Sequence, residues 1–196
     1  SGLLVGVLMF LFVAMLWVPG SLSEPHNRIG WVIVFRESSF GGGAWALAGA
    51  AVPGWRPRTK STLVTVGRVL IALAAIFYGV QHFLHPVNVP GVPLEKVLPD
   101  WIPGRAIVGY LTGAILLVCG SGILAGKRVR ALATSLGTWI VLLVVCIYGP
   151  ILIHSMRDTS TAAKVEGVNY FADTLLYAGA ILGLASATPS TALRSP

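Results

Sequence analysis

The side chains able to do chemistry in this 196-residue chain gather in a few short stretches. Tyr78, Gln81, His82 and His85 lie close together. Tyr78 and His82 are four apart and share a helix face. His82 and His85, three apart, nearly do, and Gln81 and His85 are again four apart. Arg36, Glu37 and Asp173 are ionisable residues set in apolar surroundings, and His26 and His154 complete the four histidines. Imidazole titrates near neutral pH, a phenol donates a hydrogen bond and a carboxylate can carry a proton. A pocket of these groups can bind and protonate a quinone. In that reading His82 bonds a quinone carbonyl, Asp173 or Glu37 carries the proton, and Tyr78, His85 and Arg36 complete the binding site.

Each assignment has a structural alternative. His85 precedes Pro86 at a helix end, where an interfacial histidine needs no special function. His82 can simply bond a neighbouring helix, and Arg36 can seek Asp173 or reach for water. Arg36 and Glu37, roughly 100° apart on a helix, need not pair with each other. A haem between His82 and His154, or zinc on His82, His85, His154 and Asp173, has no diagnostic spacing behind it, and no metal is assigned. Cys119 and Cys146 make no CxxC motif. Counted along antiparallel helices at about 1.5 Å per residue their depths differ by roughly 10 Å, more than the roughly 4.4–6.8 Å a disulfide spans, so both read as packing residues. There is no glycine-rich phosphate loop, nucleophile elbow or H-E-x-x-H pattern.

The elements that must position these groups are membrane helices. Hydrophobic residues make up 55% of the chain and charged residues 11%, where a soluble domain carries roughly 25% charged. The mean hydropathy of +0.80 excludes a soluble enzyme and a disordered chain alike. A net charge of +7 scattered among apolar runs makes no nucleic-acid surface; it reads as topology and lipid headgroups. Crossing a bilayer takes about 20 mostly apolar residues. Six stretches qualify: Leu3–Val18, Ile29–Val52, Leu63–Leu84, Ala106–Leu124, Ala131–Ile153 and Asn169–Ser186. The first residue is Ser, so the chain is processed or the sequence begins partway through a longer protein. A signal peptide in place of the first span lacks the basic region that would precede it.

Arg56, Arg58 and Lys60, and again Lys127, Arg128 and Arg130, occupy two connections without acids, whereas Glu24, Glu95, Asp100, Asp158 and Glu166 accompany the bases of the other three. Basic residues favour the cytoplasmic side, which puts both termini there and all four histidines in the outer half. The outer loop Pro86–Arg105 carries five prolines, so its shape is expected to depend on proline more than on hydrogen bonds. Leu94–Leu98 can form one amphipathic turn at the interface, with Trp101 as an aromatic anchor. Residues 187–196 read as a disordered tail. Gly2 with Gly6, Gly109 with Gly113, and Gly41-Gly42-Gly43 read as close-packing positions between helices.

Phe35–Ala50 and Phe171–Ser186 align so that Phe35 meets Phe171, Glu37 meets Asp173 and Gly43 meets Gly179. Each follows a helix carrying an aromatic-x-Pro, Trp17-Val18-Pro19 or Tyr148-Gly149-Pro150. The first two helices therefore read as a copy of the last two.

GRVLIALAAIFYGVQHFLHP (Gly67–Pro86), GYLTGAILLVCGSGIL (Gly109–Leu124) and NYFADTLLYAGAILGLA (Asn169–Ala185), with the proline-rich loop, make residues 64–186 resemble a DoxX-like four-helix membrane domain. Residues 1–52 then resemble the second half of another copy. GxxHFxxP is the most specific element. The resemblance implies an all-α polytopic transmembrane helix bundle of the bacterial cytoplasmic (inner) membrane, tied to quinone- or thiol-linked redox chemistry. Relatives include the membrane subunit of a thiosulfate–quinone oxidoreductase and a maturation protein for methylamine dehydrogenase. It supplies no catalytic residue to carry over and leaves open whether the chain is an enzyme. The function expected is a redox-linked subunit with a polar pocket in the outer half of the membrane, working with other membrane or redox proteins. The alternatives are a non-catalytic scaffold or maturation subunit, and a small-solute carrier suggested by the repeat.

Overall fold

The computed structural model describes residues 2–189, which form six long helices: α1 (Gly2–Ser23), α2 (Arg28–Ala51), α3 (Pro57–Leu84), α4 (Arg105–Leu124), α5 (Val129–Met156) and α6 (Thr161–Ala187). Five are long and apolar enough to cross a membrane; α2 matches them in length at 24 residues but carries Arg28, Arg36 and Glu37. By length and composition, this is a multi-pass membrane protein. Each helix covers its expected span, except that α2 stops at Ala51, one residue short of Val52. The largest difference is at α6, which starts at Thr161 rather than Asn169, with the Ser160 side chain accepting from the Ala163 amide. Hydropathy marks only the part of a helix suited to hydrocarbon, and the polar turns around Lys164 and Glu166 continue the same helix beyond it. At the other end α6 continues through Ala187; residues 190–196 of the expected tail lie outside the described residues.

Two helices widen at corresponding places. Val13–Trp17 in α1 and Val144–Tyr148 in α5 are π-helical turns, closed by bonds from the Val18 and Gly149 amides to the Val13 and Val144 carbonyls. Pro19 or Pro150 follows. Proline lacks an N–H and its ring crowds the carbonyl four residues back; opening the preceding turn relieves both problems without breaking the helix.

Helix α2 packs against α1, α3 and α6; α3 continues to α4, and α5 closes the ring between α4 and α6. Small residues permit the closest approaches. A Cβ on Gly67 would stand 2.2 Å from the Gly42 carbonyl oxygen, and one on Gly43 would stand 2.6 Å from the Ala180 Cβ. Tyr78, Ile71, Leu116, Leu136, Ile140, Tyr177 and Ile181 fill the interior. Helix α1 stands outside the ring and, among the described helices, packs on α2 alone, with Phe10 edge-on to Trp45 at 4.5 Å; Leu4, Leu8 and Met15 face outward.

The α3–α4 connection folds back into the bundle. The Val89 amide donates to Lys96 O (3.1 Å) and the Leu98 amide to Val87 O (2.8 Å), with an isolated bridge pairing Asn88 and Val97. This narrow hairpin has a buried tip, Pro90–Pro93, where Val92 is 2% exposed. Two expectations need correction. Leu94–Leu98 is the returning arm of the hairpin, not an amphipathic helical turn, because pairing with Val87–Val89 satisfies its backbone. Hydrogen bonds, and not mainly proline, hold the loop's shape. Trp101 does lie exposed beyond it.

Candidate functional site

The buried hairpin explains several polar side chains. Non-helical backbone at membrane depth is tolerated only where protein groups satisfy it. His82, fully buried on α3, accepts from the Gly91 amide at Nε2 (2.9 Å) and lies 2.8 Å from Tyr78 O through Nδ1. An Nε2 that accepts has no proton, so Nδ1–H is the donor and the ring is a neutral imidazole of fixed tautomer. Tyr148 O–H donates to Pro90 O at 2.5 Å. Arg28 donates to Pro93 O (2.6 Å) and Leu94 O (3.3 Å), and Asn88 Nδ2 to Leu94 O (2.7 Å). Gly91 has φ +99°, a conformation that favours glycine, and its Cα faces Thr174, Ile140 and Leu143.

This geometry separates the expected site residues. His82 has no ring nitrogen left for a quinone carbonyl. Tyr78 O–H is likewise committed, donating to Val32 O across the α2–α3 contact at 3.0 Å. His85 ends α3 at the rim, partly buried, while His26 is exposed between α1 and α2 and His154 is exposed in the last turn of α5. The histidines therefore do not converge, and among the described residues no group of three His, Cys, Asp or Glu side chains could hold a metal. Cys119 is buried and Cys146 exposed, both as free thiols.

Arg36, Glu37 and Asp173 do come together. Arg36 Nη1 donates to Asp173 Oδ2 at 2.5 Å, joining α2 to α6; Nη2 and Nε donate to Glu37 Oε1 at 2.8 and 3.1 Å. Arg36 and Glu37 pair although they are sequence neighbours, because the long guanidinium arm bends back over the shorter carboxylate. Arg36 lies about 12 Å along α2 from Arg28, and Asp173 about 18 Å along α6 from Thr161, at about 1.5 Å per residue. Side-chain exposures of 13%, 14% and 26% for Arg36, Glu37 and Asp173 make the cluster largely buried yet reachable. Phe35, next to Arg36 in sequence, stacks on Phe77 of α3 at 4.4 Å and 19°.

The chain matches no protein-family model, no curated protein and no solved structure.

The charge count of the cluster gives it chemistry. Two ionised carboxylates against one guanidinium leave a net negative charge, which one proton neutralises. A guanidinium has five N–H donors, and the three bonds above use three, leaving two that can face a carbonyl or another acceptor. Such a group can hold and release a proton beside an oxygen-bearing ligand. A groove of about 600 Å³ between α4 and α5 is lined by Ile115, Val118, Cys119, Thr138 and Trp139, away from these three residues.

Residue types and spacing did not reveal the tasks of Arg28, Asn88 and Tyr148. One signal was available: from Pro86 to Leu94 there is no charged residue, while Val87, Val89 and Val92 recur. An exposed loop has little reason for that composition.

Proposed function

We propose that this chain is a DoxX-like subunit of the bacterial cytoplasmic membrane, in which Arg36, Glu37 and Asp173 handle protons for quinone- or thiol-linked redox chemistry. The observation that carries the reading is a guanidinium fork holding two carboxylates from different helices inside the hydrophobic span, where ionised groups are costly and usually serve a function. A quinone taking two electrons needs two protons, and two thiols forming a disulfide release both. With Cys119 and Cys146 set apart, the thiols belong to a partner. His82 is unsuited to the quinone carbonyl because both its nitrogens are engaged; the free Arg36 N–H groups are suited to it. The positive-inside pattern supports an orientation with the hairpin facing outward and both ends of the chain facing the cytoplasm. The paired π turns before Pro19 and Pro150 support a parallel two-helix repeat, with Glu37 and Asp173 at equivalent positions.

A non-catalytic scaffold or maturation subunit is the second reading. It is favoured by the use of Tyr78, His82 and Tyr148 to build the fold and by the outward apolar face of α1. Protein isolated from its native membrane separates the two. Quinone in the extracted lipid, lost in Asp173→Asn and Glu37→Gln protein of unchanged melting temperature, supports proton-linked quinone chemistry. Stable co-purification with a larger assembly, without quinone and without an effect of either variant, supports the scaffold.

A further inference from the structure

The turn between α1 and α2 encloses a pocket separate from the charged cluster. Its volume is about 330 Å³, and its walls include Trp17, Ser21, Glu24, Asn27, Gly30 and Ile33. Leu16 and Trp17 of the π turn form one wall, while Gly30 lets the start of α2 come close: a Cβ there would lie 2.7 Å from Ser21 Oγ. Two of the lining side chains bring buried polar atoms with no protein partner. These are Trp17 Nε1 and Ser21 Oγ, and Ser21 is only 2% exposed. Buried polar atoms without partners are uncommon, and two in one pocket point to a ligand that supplies acceptors. Glu24 is the pocket's charged residue; it is exposed, with one oxygen accepting from Asn27 Nδ2 at 3.2 Å.

These groups follow the chain in the order of a phospholipid headgroup. Glu24 lies at the helix end, Ser21 almost one turn back and Trp17 about one turn further along α1. From this we propose that the pocket binds a zwitterionic phospholipid with a primary ammonium, of the phosphatidylethanolamine type. The ammonium donates to Glu24, the phosphate or glycerol oxygens accept from the Ser21 hydroxyl, and an ester carbonyl accepts from Trp17 Nε1. The acyl chains continue along the apolar surface that Leu16 and Met15 expose, at 55% and 73%. The charge of the pocket selects among headgroups. With a carboxylate and no Lys or Arg in its lining, it suits a cationic terminus and disfavours a net anionic headgroup. A quaternary ammonium has no N–H to donate, so the choline analogue loses the Glu24 bond.

The test uses the full chain in nanodiscs of mixed phosphatidylethanolamine, phosphatidylcholine and phosphatidylglycerol, with native mass spectrometry of the released protein. Bound ethanolamine lipid enriched over its share of the nanodisc is the expected result. Glu24→Gln, a surface change that spares the fold, should cut that enrichment about tenfold, the usual consequence of losing a charge-assisted hydrogen bond. Ser21→Ala should weaken binding of all three lipids less selectively. Soluble glycerophosphoethanolamine provides the arm without acyl chains and should not displace the lipid at equal concentration. Equal retention of the choline and ethanolamine lipids, no effect of Glu24→Gln, or displacement by the soluble headgroup would each overturn the proposal.

Discussion

Replacing His82 with Phe isolates its role as an anchor of the buried hairpin. Phe keeps a flat ring there and, being somewhat larger, opens no cavity, but it offers no acceptor to the Gly91 amide and no donor to Tyr78 O. A buried N–H left alone costs about 1–3 kcal/mol. The Tyr78 carbonyl keeps its helical bond, so its loss falls at the lower end of the usual ~0.5–1.5 kcal/mol. The total should be about 1.5–3.5 kcal/mol, expressed as a lower melting temperature in detergent and as faster hydrogen exchange in Val89–Gly91. His82→Gln is the discriminating companion. Its Oε1 stands near the former Nε2 position, so it should regain part of the Gly91 bond and of the stability. If His82→Phe melts with the wild type and the Gly91 amide stays protected, the hairpin does not depend on this histidine and the reasoning fails.

Tyr148→Phe removes the donor to the Pro90 carbonyl and should destabilise by about 1–2 kcal/mol, with the hairpin becoming sensitive to added protease before the helices do. Arg36→Met strands two largely buried carboxylates, whereas Asp173→Asn leaves the Arg36–Glu37 pair intact. The first should therefore unfold at a distinctly lower denaturant concentration than the second, and the reverse order would contradict the fork geometry. Gly67→Ala forces a methyl against the Gly42 carbonyl, so overpacking should cost about 1–3 kcal/mol in thermal unfolding. With Cys119 and Cys146 replaced by Ser, Lys60→Cys and Asp100→Cys should react with an impermeant maleimide from opposite sides of the membrane. Labelling of both from one side would contradict the six-helix topology.

The helices were legible in the sequence because an apolar run of membrane length permits few alternatives. Their polar ends were less legible: Thr161–Val168 continues α6 beyond the hydrocarbon, where hydropathy carries no signal. Within the site, charge and depth left Arg36 two outlets, Asp173 or water, and the approach of α6 to α2 selects the carboxylate. The histidines were a different matter. His82 satisfies either a ligand or a backbone amide equally well by type and spacing, and only the path of the Pro86–Arg105 connection decides between them. That path depends on long-range bonds from Arg28 and Tyr148, which sit 65 and 58 residues from the carbonyls they hold, and no local pattern encodes such a pairing.

The most direct test of a proton-handling cluster is equilibrium quinone binding by the full chain in nanodiscs, comparing wild type with Asp173→Asn and Glu37→Gln. Both substitutions keep the shape of the side chain and remove its capacity to carry a proton as a carboxylate. The expected result is at least a tenfold weaker affinity in each variant, with helix content and melting temperature close to wild type. Undiminished affinity in both would contradict the assignment and leave Arg36, Glu37 and Asp173 as a clamp between α2 and α6.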